Sequence, residues 1–375
     1  MNVCVITPVL DAYKGGNHLP LFAACSDIQF TILCNRSKVD AADLPVNVTV
    51  VTVPGRIGFY YYGVLDFLFA RSVMKAFPSD DIFWRQFAVI HLNQVVGPAF
   101  TKLLRSTVPV LLLIHHPVTA DREVAMQETC GFTRLFWWCK YFFLVRWQRC
   151  MCNAVTRVAT VSCTMKERIS TEYCCAPEKI SIVSNGVDGD VFTASKDATC
   201  KNDVIAIGSF VHPRKGFSYL LKVYKELSSK GISIADVGRR TDEQVVALQS
   251  IQGVTVYGTV DADVLVDLLR HTRVLVSTSL YEGFGLSLIE ALACGHPAFA
   301  FDVGAVPEVL IEIDPSLISP ARDTEHMVKN IVAYIALTPE QRDGNSAKYR
   351  TAVLQRYSHN ESAKSLQNLY QEIQS

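Results

Sequence analysis

The chain has 375 residues, enough for two domains of ordinary size rather than one. Apolar residues make up 49% and charged residues 19%, which excludes a disordered or low-complexity chain. Lys plus Arg and Asp plus Glu number 36 each, so the basic excess of a nucleic-acid binder is missing and no nucleic-acid partner is expected.

Residues 1–10 are apolar and read as a strand, not as a basic-led signal peptide. A loop holding Gly15 and Gly16 follows. Residues 30–34 and 46–53 are further strand candidates, and 89–92 and 108–114 are the continuous apolar runs of strands buried on both faces. The last run ends at His115 and His116, where a histidine can serve either structure or chemistry. Residues 132–152 are dense in Trp and Phe with Arg134, Lys140, Arg146 and Arg149 interleaved. Two readings fit this segment: a helix on a membrane surface, or a core helix whose cations reach past the apolar face to water. Residues 1–190 carry 18 basic against 15 acidic residues and the remainder 18 against 21, so the first half is +3 and the second −3.

After a strand at 157–161, the polar stretch 184–202 reads as a linker, and the β/α alternation then restarts. Strand candidates lie at 203–207, 232–237, 254–257, 274–277 and 296–301, with a helix at 217–230 and glycines or prolines between them. An amphipathic helix at 358–374 closes the chain. The expected architecture is α/β: two Rossmann-like, doubly wound domains facing across a cleft. Residues 1–190 form the acceptor-side domain, 191–357 the nucleotide-sugar domain, and 358–375 a helix returning to the first domain.

Two strand-to-helix corners carry the chemistry. Glu282, Gly283, Phe284, Gly285 and Leu286 open a helix that also holds Glu290. The glycines admit a ligand close to the backbone, and the helix start is an anion site. One carboxylate can then hold a ribose diol and the other sugar hydroxyls; two solvated glutamates are the plainer alternative. The second corner runs from Gly208 to Arg214, Lys215 and Gly216, placing two cations beside a helix start, which suits a diphosphate. The Walker A spacing is absent. The twelve cysteines scatter through apolar stretches without metal or redox spacing, which suits reduced thiols in a cytoplasmic protein. No uncharged apolar stretch is long enough to span a membrane.

These motifs resemble those of glycosyltransferase family 4, the retaining group with the GT-B fold. Glu282 through Glu290 matches the family's Glu-x7-Glu signature without a gap, and the resemblance covers nearly the whole chain. Asn185 to Asp188 with Phe192 resembles its linker signature, and Ala305 to Glu308 a later element in which Ala replaces the commoner Gly. The resemblance implies that Arg214 and Lys215 meet the donor diphosphate, that Glu290 takes the ribose and that Glu282 takes the transferred sugar. It implies backbone contacts from Gly208, Gly283, Phe284, Gly285 and Leu286. In the first half it implies that Gly15 and Gly16 face the phosphates and that His115 lies beneath the sugar, with His116 beside it also open. Residues 119–123 depart from the general pattern and suggest a subgroup feature of substrate choice.

The expected activity is metal-independent retaining transfer from a nucleotide-diphosphate sugar, UDP- favoured over GDP-, with no cofactor. The expected acceptor is a glycan, a lipid-linked glycan or a small molecule. The expected location is the cytoplasm, with peripheral contact to the inner membrane face as a further reading. A sugar-nucleotide 2-epimerase on the same scaffold and a non-catalytic sugar-nucleotide binder or membrane scaffold are the alternatives.

Overall fold

The computed structural model describes residues 1–11, 19–55, 64–94, 97–194 and 200–374. The chain divides into two compact units. The first comprises Met1–Met126, Cys130–Gly186 and His359–Ser375, and the second Gln127–Thr129 and Val187–Ser358. The chain thus passes between units at Gly186–Val187, inside the polar stretch read as a linker.

The first unit contains β1 (Asn2–Ile6), β2 (Val9–Leu10), α1 (Leu19–Ala24), β3 (Gln29–Cys34), β4 (Arg36–Ser37), β5 (Val48–Thr52), α2 (Val64–Ala76) and β6 (Val89–Asn93). It continues through β7 (Val110–Ile114), α3 (Val118–Glu128), α4 (Gly131–Ala154), β8 (Arg157–Thr160), α5 (Cys163–Tyr173) and β9 (Ile180–Ile182). Seven strands form one parallel sheet in the order β5-β3-β1-β6-β7-β8-β9. Alternate residues of each central strand feed two separate cores. Val3 and Val5 pack on one face with Phe30, Leu111 and Leu113, while Cys4 and Ile6 pack on the other with Ile90, Leu112 and Phe100. Burial on both faces is why these strands read as unbroken apolar runs.

The C-terminal helix His359–Gln374 belongs to this unit. Leu366, Leu369 and Tyr370 join the first of those cores, and the Tyr370 hydroxyl meets Nδ1 of buried His91 at 2.6 Å. Burial holds His91 neutral, lowering its pKa to about 3.

The second unit contains β10 (Asn202–Ile207), α6 (Phe217–Ser228), β11 (Ile234–Val237), α7 (Asp242–Gln249), β12 (Val254–Gly258), α8 (Ala262–Arg270) and β13 (Thr272–Ser277). α9 (Leu286–Ala293), β14 (Ala298–Phe301), α10 (Val306–Leu310), β15 (Ile318–Ser319), α11 (Thr324–Ile335) and α12 (Pro339–Tyr357) complete it. Its parallel sheet runs β12-β11-β10-β13-β14-β15. Numbered within the unit, this is the 3-2-1-4-5-6 order of a doubly wound sheet, whose ligand crevice opens where the order reverses, between β10 and β13.

The structure decides between the two readings of residues 132–152. They lie in α4, and a helix buried all round is not what is seen. Tyr141, Leu144, Gln148, Met151 and Cys152 form its buried face. Trp137 and Trp147 are half-buried, and Trp138, Phe142 and Phe143 are exposed. Inward burial is achieved by one stripe, so the remaining aromatics point to water. Among the described residues, no helix is long and apolar enough to cross a membrane.

Candidate active site

Both chemistry-bearing corners of the second unit emerge at its switch point. The loop after β10 brings Gly208, Arg214 and Lys215; the loop after β13 brings Glu282 and leads into α9. The Lys215 Nζ lies 2.5 Å from Glu282 Oε1, and the Arg214 guanidinium 3.6 Å from Oε2. The Ser279 hydroxyl donates to the same Oε1 at 2.7 Å. Burial alone would raise the Glu282 pKa. The two cations and the hydrogen bonds from Lys215 and Ser279 outweigh it and hold the carboxyl at about 2.

The backbone locks the loops together. The Leu280 N–H donates to the Arg214 carbonyl at 2.7 Å, and the Thr278 hydroxyl donates to the Gly216 carbonyl at 3.2 Å. Gly216 has φ +67°, and a Cβ there would stand 2.2 Å from the Thr278 carbonyl oxygen. Gly304, after β14, has φ +55° and would place a Cβ 2.1 Å from the Glu282 carbonyl oxygen. Only glycine fits either position. The neighbouring Ala305 N–H donates to that Glu282 carbonyl at 2.9 Å.

Gly283 and Phe284 lead to Gly285, the N-cap of α9, and Leu286 is its first residue. The Phe284 ring is buried edge-on against Tyr357, with centroids 5.2 Å apart, so its backbone rather than its ring is available to a ligand. Glu290 sits one turn into α9. Its carboxylate has no hydrogen bond or ion pair among the described residues, and burial pushes its pKa up to about 7. The two glutamates, eight positions apart, are therefore opposite in electrostatic state.

A buried network next to this corner was not read from the sequence. Asp236 in β11 and Arg240 pair at 2.7 Å, with side chains 0% and 1% exposed. Arg240 also donates to the Gly208 carbonyl at 2.5 Å and stacks over the Phe210 ring at 4.4 Å, while the Tyr224 hydroxyl donates to Asp236 at 3.0 Å. The network fixes the carbonyl of Gly208. The signal available was a lone Asp inside an apolar strand, four residues before an Arg.

In the first unit, His115 and His116 follow β7. The His115 N–H donates to the Gln94 side-chain oxygen at 3.0 Å. Burial first, with the neighbouring histidines adding to it, lowers the His115 pKa to about 3, so the ring is neutral. His116 differs: its Nε2 lies 3.0 Å from buried Asp121. Gln94 was also missed. It ends β6 with φ +54°, is buried, and leaves its side-chain nitrogen without a partner. Residues 119–123, read as a feature of substrate choice, make local contacts here. Asp121 holds His116, Thr119 bonds Glu172, and Glu123 bonds Arg168. Gly15 and Gly16 lie outside the described residues. Among the described residues, no group of three or more His, Cys, Asp or Glu side chains could hold a metal ion.

Two family profiles match the chain. One is described as Glycosyltransferase Family 4, over residues 23–191, and the other as Glycosyl transferases group 1, over residues 201–336. The chain belongs to glycosyltransferase family 4. It is a glycosyltransferase with the GT-B fold. It is similar to the MMP alpha-(1->4)-mannosyltransferase of Mycolicibacterium hassiacum, 29% identical over 60% of this chain and 56% of that protein. It is similar to the O-antigen chain mannosyltransferase RfbU of Salmonella typhimurium, 33% identical over 41% and 44% of the respective chains. The matches thus span about half the length of these relatives. Among solved structures, sucrose-phosphate synthase of Thermosynechococcus elongatus superposes with a TM-score of 0.78 at 19% identity, covering 99% of this chain and 98% of that one. HepE of Anabaena, solved in complex with UDP and glucose, gives 0.71 at 16% identity, covering 99% and 100%. At such identities the likeness shows the fold alone.

Proposed function

We propose that this family 4 enzyme transfers a sugar, with retention of anomeric configuration and without a metal ion, from a nucleotide-diphosphate sugar held in its second unit. The observation that carries the reading is the convergence of Arg214, Lys215 and Glu282 at the switch point of the β10/β13 sheet. Two cations and the first turn of α9 form an anion site where doubly wound sheets bind nucleotides.

In this reading the bond between the sugar's anomeric carbon and the diphosphate oxygen breaks first. Arg214 and Lys215 take up the charge that develops on that oxygen. The acceptor hydroxyl enters on the same face and passes its proton to the departing phosphate. Glu282, ionised throughout, accepts hydrogen bonds from the sugar hydroxyls. Glu290 accepts the ribose diol, and the backbone of Gly208, Gly283, Phe284, Gly285 and Leu286 supplies further contacts. Neutral His115 is a donor or acceptor rather than a cation, and His116 is held by Asp121.

UDP is the favoured base, in keeping with the UDP in the HepE structure. The relatives' printed acceptors differ, one being an O-antigen chain and another phosphatidylinositol, so glycan, lipid-linked and small-molecule acceptors all stay within the reading. Twelve free cysteines favour a reducing compartment, and we place the protein in the cytoplasm.

The test is donor hydrolysis and transfer with a panel of UDP- and GDP-sugars in excess chelator, with the anomeric product identified by NMR. Turnover with retention supports the reading. Strict dependence on added manganese, or an inverted product, overturns it.

A further inference from the structure

We propose that the outward face of α4 docks the protein onto an anionic phospholipid bilayer. Phe132, Leu135, Phe136, Trp138, Phe142 and Phe143 are between 49% and 92% exposed, and all lie on the side of α4 opposite its buried stripe. Exposed apolar side chains are ordinary when scattered; six within twelve residues on one helix face mark an interaction surface. The rings support one another. Trp138 and Phe142 are 5.4 Å apart between centroids, and Phe142 and Phe143 5.2 Å.

Charge selects the partner. Residues 129–166 contain no Asp or Glu, yet they hold Arg134, Lys140, Arg146, Arg149, Arg157 and Lys166. Arg146 and Arg149 are exposed and extend the apolar stripe at its C-terminal end. A second, neighbouring feature has the same sign. Phe67 of α2 stacks on Trp147 of α4, and one turn further along α2 a cavity of about 520 Å³ is lined by Arg71, Lys75 and Lys102 with no carboxylate. A second copy of this chain would set cations against cations. A bilayer with anionic headgroups neutralises them while its acyl boundary takes up the rings. Because no described helix is long and apolar enough to cross a membrane, the contact lies in the plane of the interface. The proposal stands apart from the transferase reading, since none of these residues belongs to the donor site.

The experiment is co-sedimentation of the full chain with phosphatidylcholine vesicles, with and without about a third phosphatidylglycerol, at low and high salt. Binding to the anionic vesicles is expected, weakened by salt, with a blue shift of Trp emission that Trp138→Phe reduces. The triple variant Trp138→Ser, Phe142→Ser, Phe143→Ser should lose at least about tenfold in partitioning. Each cation is worth about fivefold near such a surface, so Arg146→Glu with Arg149→Glu should lose more than that twice over. Circular dichroism and UDP affinity, both expected to be unchanged, confirm that the variants fold; where the triple variant does not fold, the charge variant decides. Wild-type protein that stays in the supernatant with anionic vesicles at low salt overturns the proposal. So does a folded variant of either kind that binds as wild type. A concentration-dependent dimer abolished by the triple variant, without vesicle binding, would assign the face to a second copy and equally overturn it.

Discussion

The mouth of α9 and its second turn make an instructive pair. Each holds a glutamate largely withdrawn from water. Glu282 has Lys215, Arg214 and Ser279 around it and stays ionised far into acid; Glu290 has no partner and is driven toward its neutral form. The same sequence distance, the same helix and the same side chain thus give one anion that is fully supported and one that is poised for a ligand. Support makes a carboxylate a fixture of the fold, whereas its absence makes the ligand's hydroxyls the missing partners.

The largest expected effect comes from stripping the support away. Arg214→Ala with Lys215→Ala should lower kcat/KM by roughly two to four orders of magnitude, since each charge-assisted contact is worth ~1.5–3 kcal/mol. The melting temperature should fall as well, because Glu282 is left buried without its cations. Adding Glu282→Gln should recover much of the melting temperature and none of the activity. UDP affinity unchanged in the double variant would break the comparison at its root.

Next in size is the other supported carboxylate. Asp236→Ala strands Arg240 in the interior, which costs about 3–5 kcal/mol of stability for a buried pair. Replacing both, Asp236→Leu with Arg240→Met, should restore the melting temperature yet leave UDP affinity reduced, because the Gly208 carbonyl has lost its donor. Equal recovery of both quantities would mean that the network has no hold on the donor loop.

The two glutamates should then fail differently. Glu290→Gln should weaken free UDP by roughly tenfold or more and Glu282→Gln should spare UDP while lowering turnover, each change being that of a hydrogen bond to a charged group. Calorimetry with UDP, set against turnover, separates them, and parallel losses of UDP affinity would refute the division.

The smallest effect is one of pH. Glu290 has a folded pKa of about 7 against an ordinary 4.5, so the folded protein keeps a proton that the unfolded chain releases. Its contribution to stability is therefore full below about pH 4.5 and is lost as pH rises through about 7. Glu290→Gln should accordingly raise the melting temperature near pH 8 and change it little near pH 4. Ribose hydroxyls donate to the ionised form, so UDP affinity should rise by up to about tenfold between roughly pH 6 and 8 in the wild type, relative to Glu290→Gln. Titration curves that run parallel in the two proteins would show that this carboxyl does not meet the ligand.

Much of this was legible in the sequence, and the reasons are local. The runs at 89–92, 108–114 and 274–277 are strands because both faces of each sheet are covered, and burial on two faces leaves an unbroken apolar signature. The edge strands β9 and β15, three and two residues long, are too short to leave one. Arg214, Lys215, Glu282 and Glu290 were found because chemistry and spacing coincide at strand-to-helix corners. The contrast between Glu282 and Glu290 was not legible, because it depends on which neighbours the loops after β10 and β14 bring. Gln94 and the Asp236–Arg240 pair escaped for the same reason. The orientation of α4 escaped for another: its inward and outward stripes are both apolar, and periodicity cannot say which of two greasy faces meets the core. A buried polar residue gives the answer, since the Gln148 side-chain oxygen accepts from the Val118 N–H and the Tyr173 hydroxyl.

The close approach of Gly216 to Thr278, and of Gly304 to Glu282, bears on how this enzyme could change its substrate over evolutionary time or in a laboratory library. Three loops, from β10, β13 and β14, touch backbone to backbone with no side chain as a spacer. Insertions or deletions in any one of them would have to be matched in the other two, so length variation is closed off as a route to new donors. Point substitution stays open at Ser209 and Val211, which are exposed on the first loop and lie outside the interlock. A library aimed at donor preference is best concentrated there, with Gly216 and Gly304 left invariant.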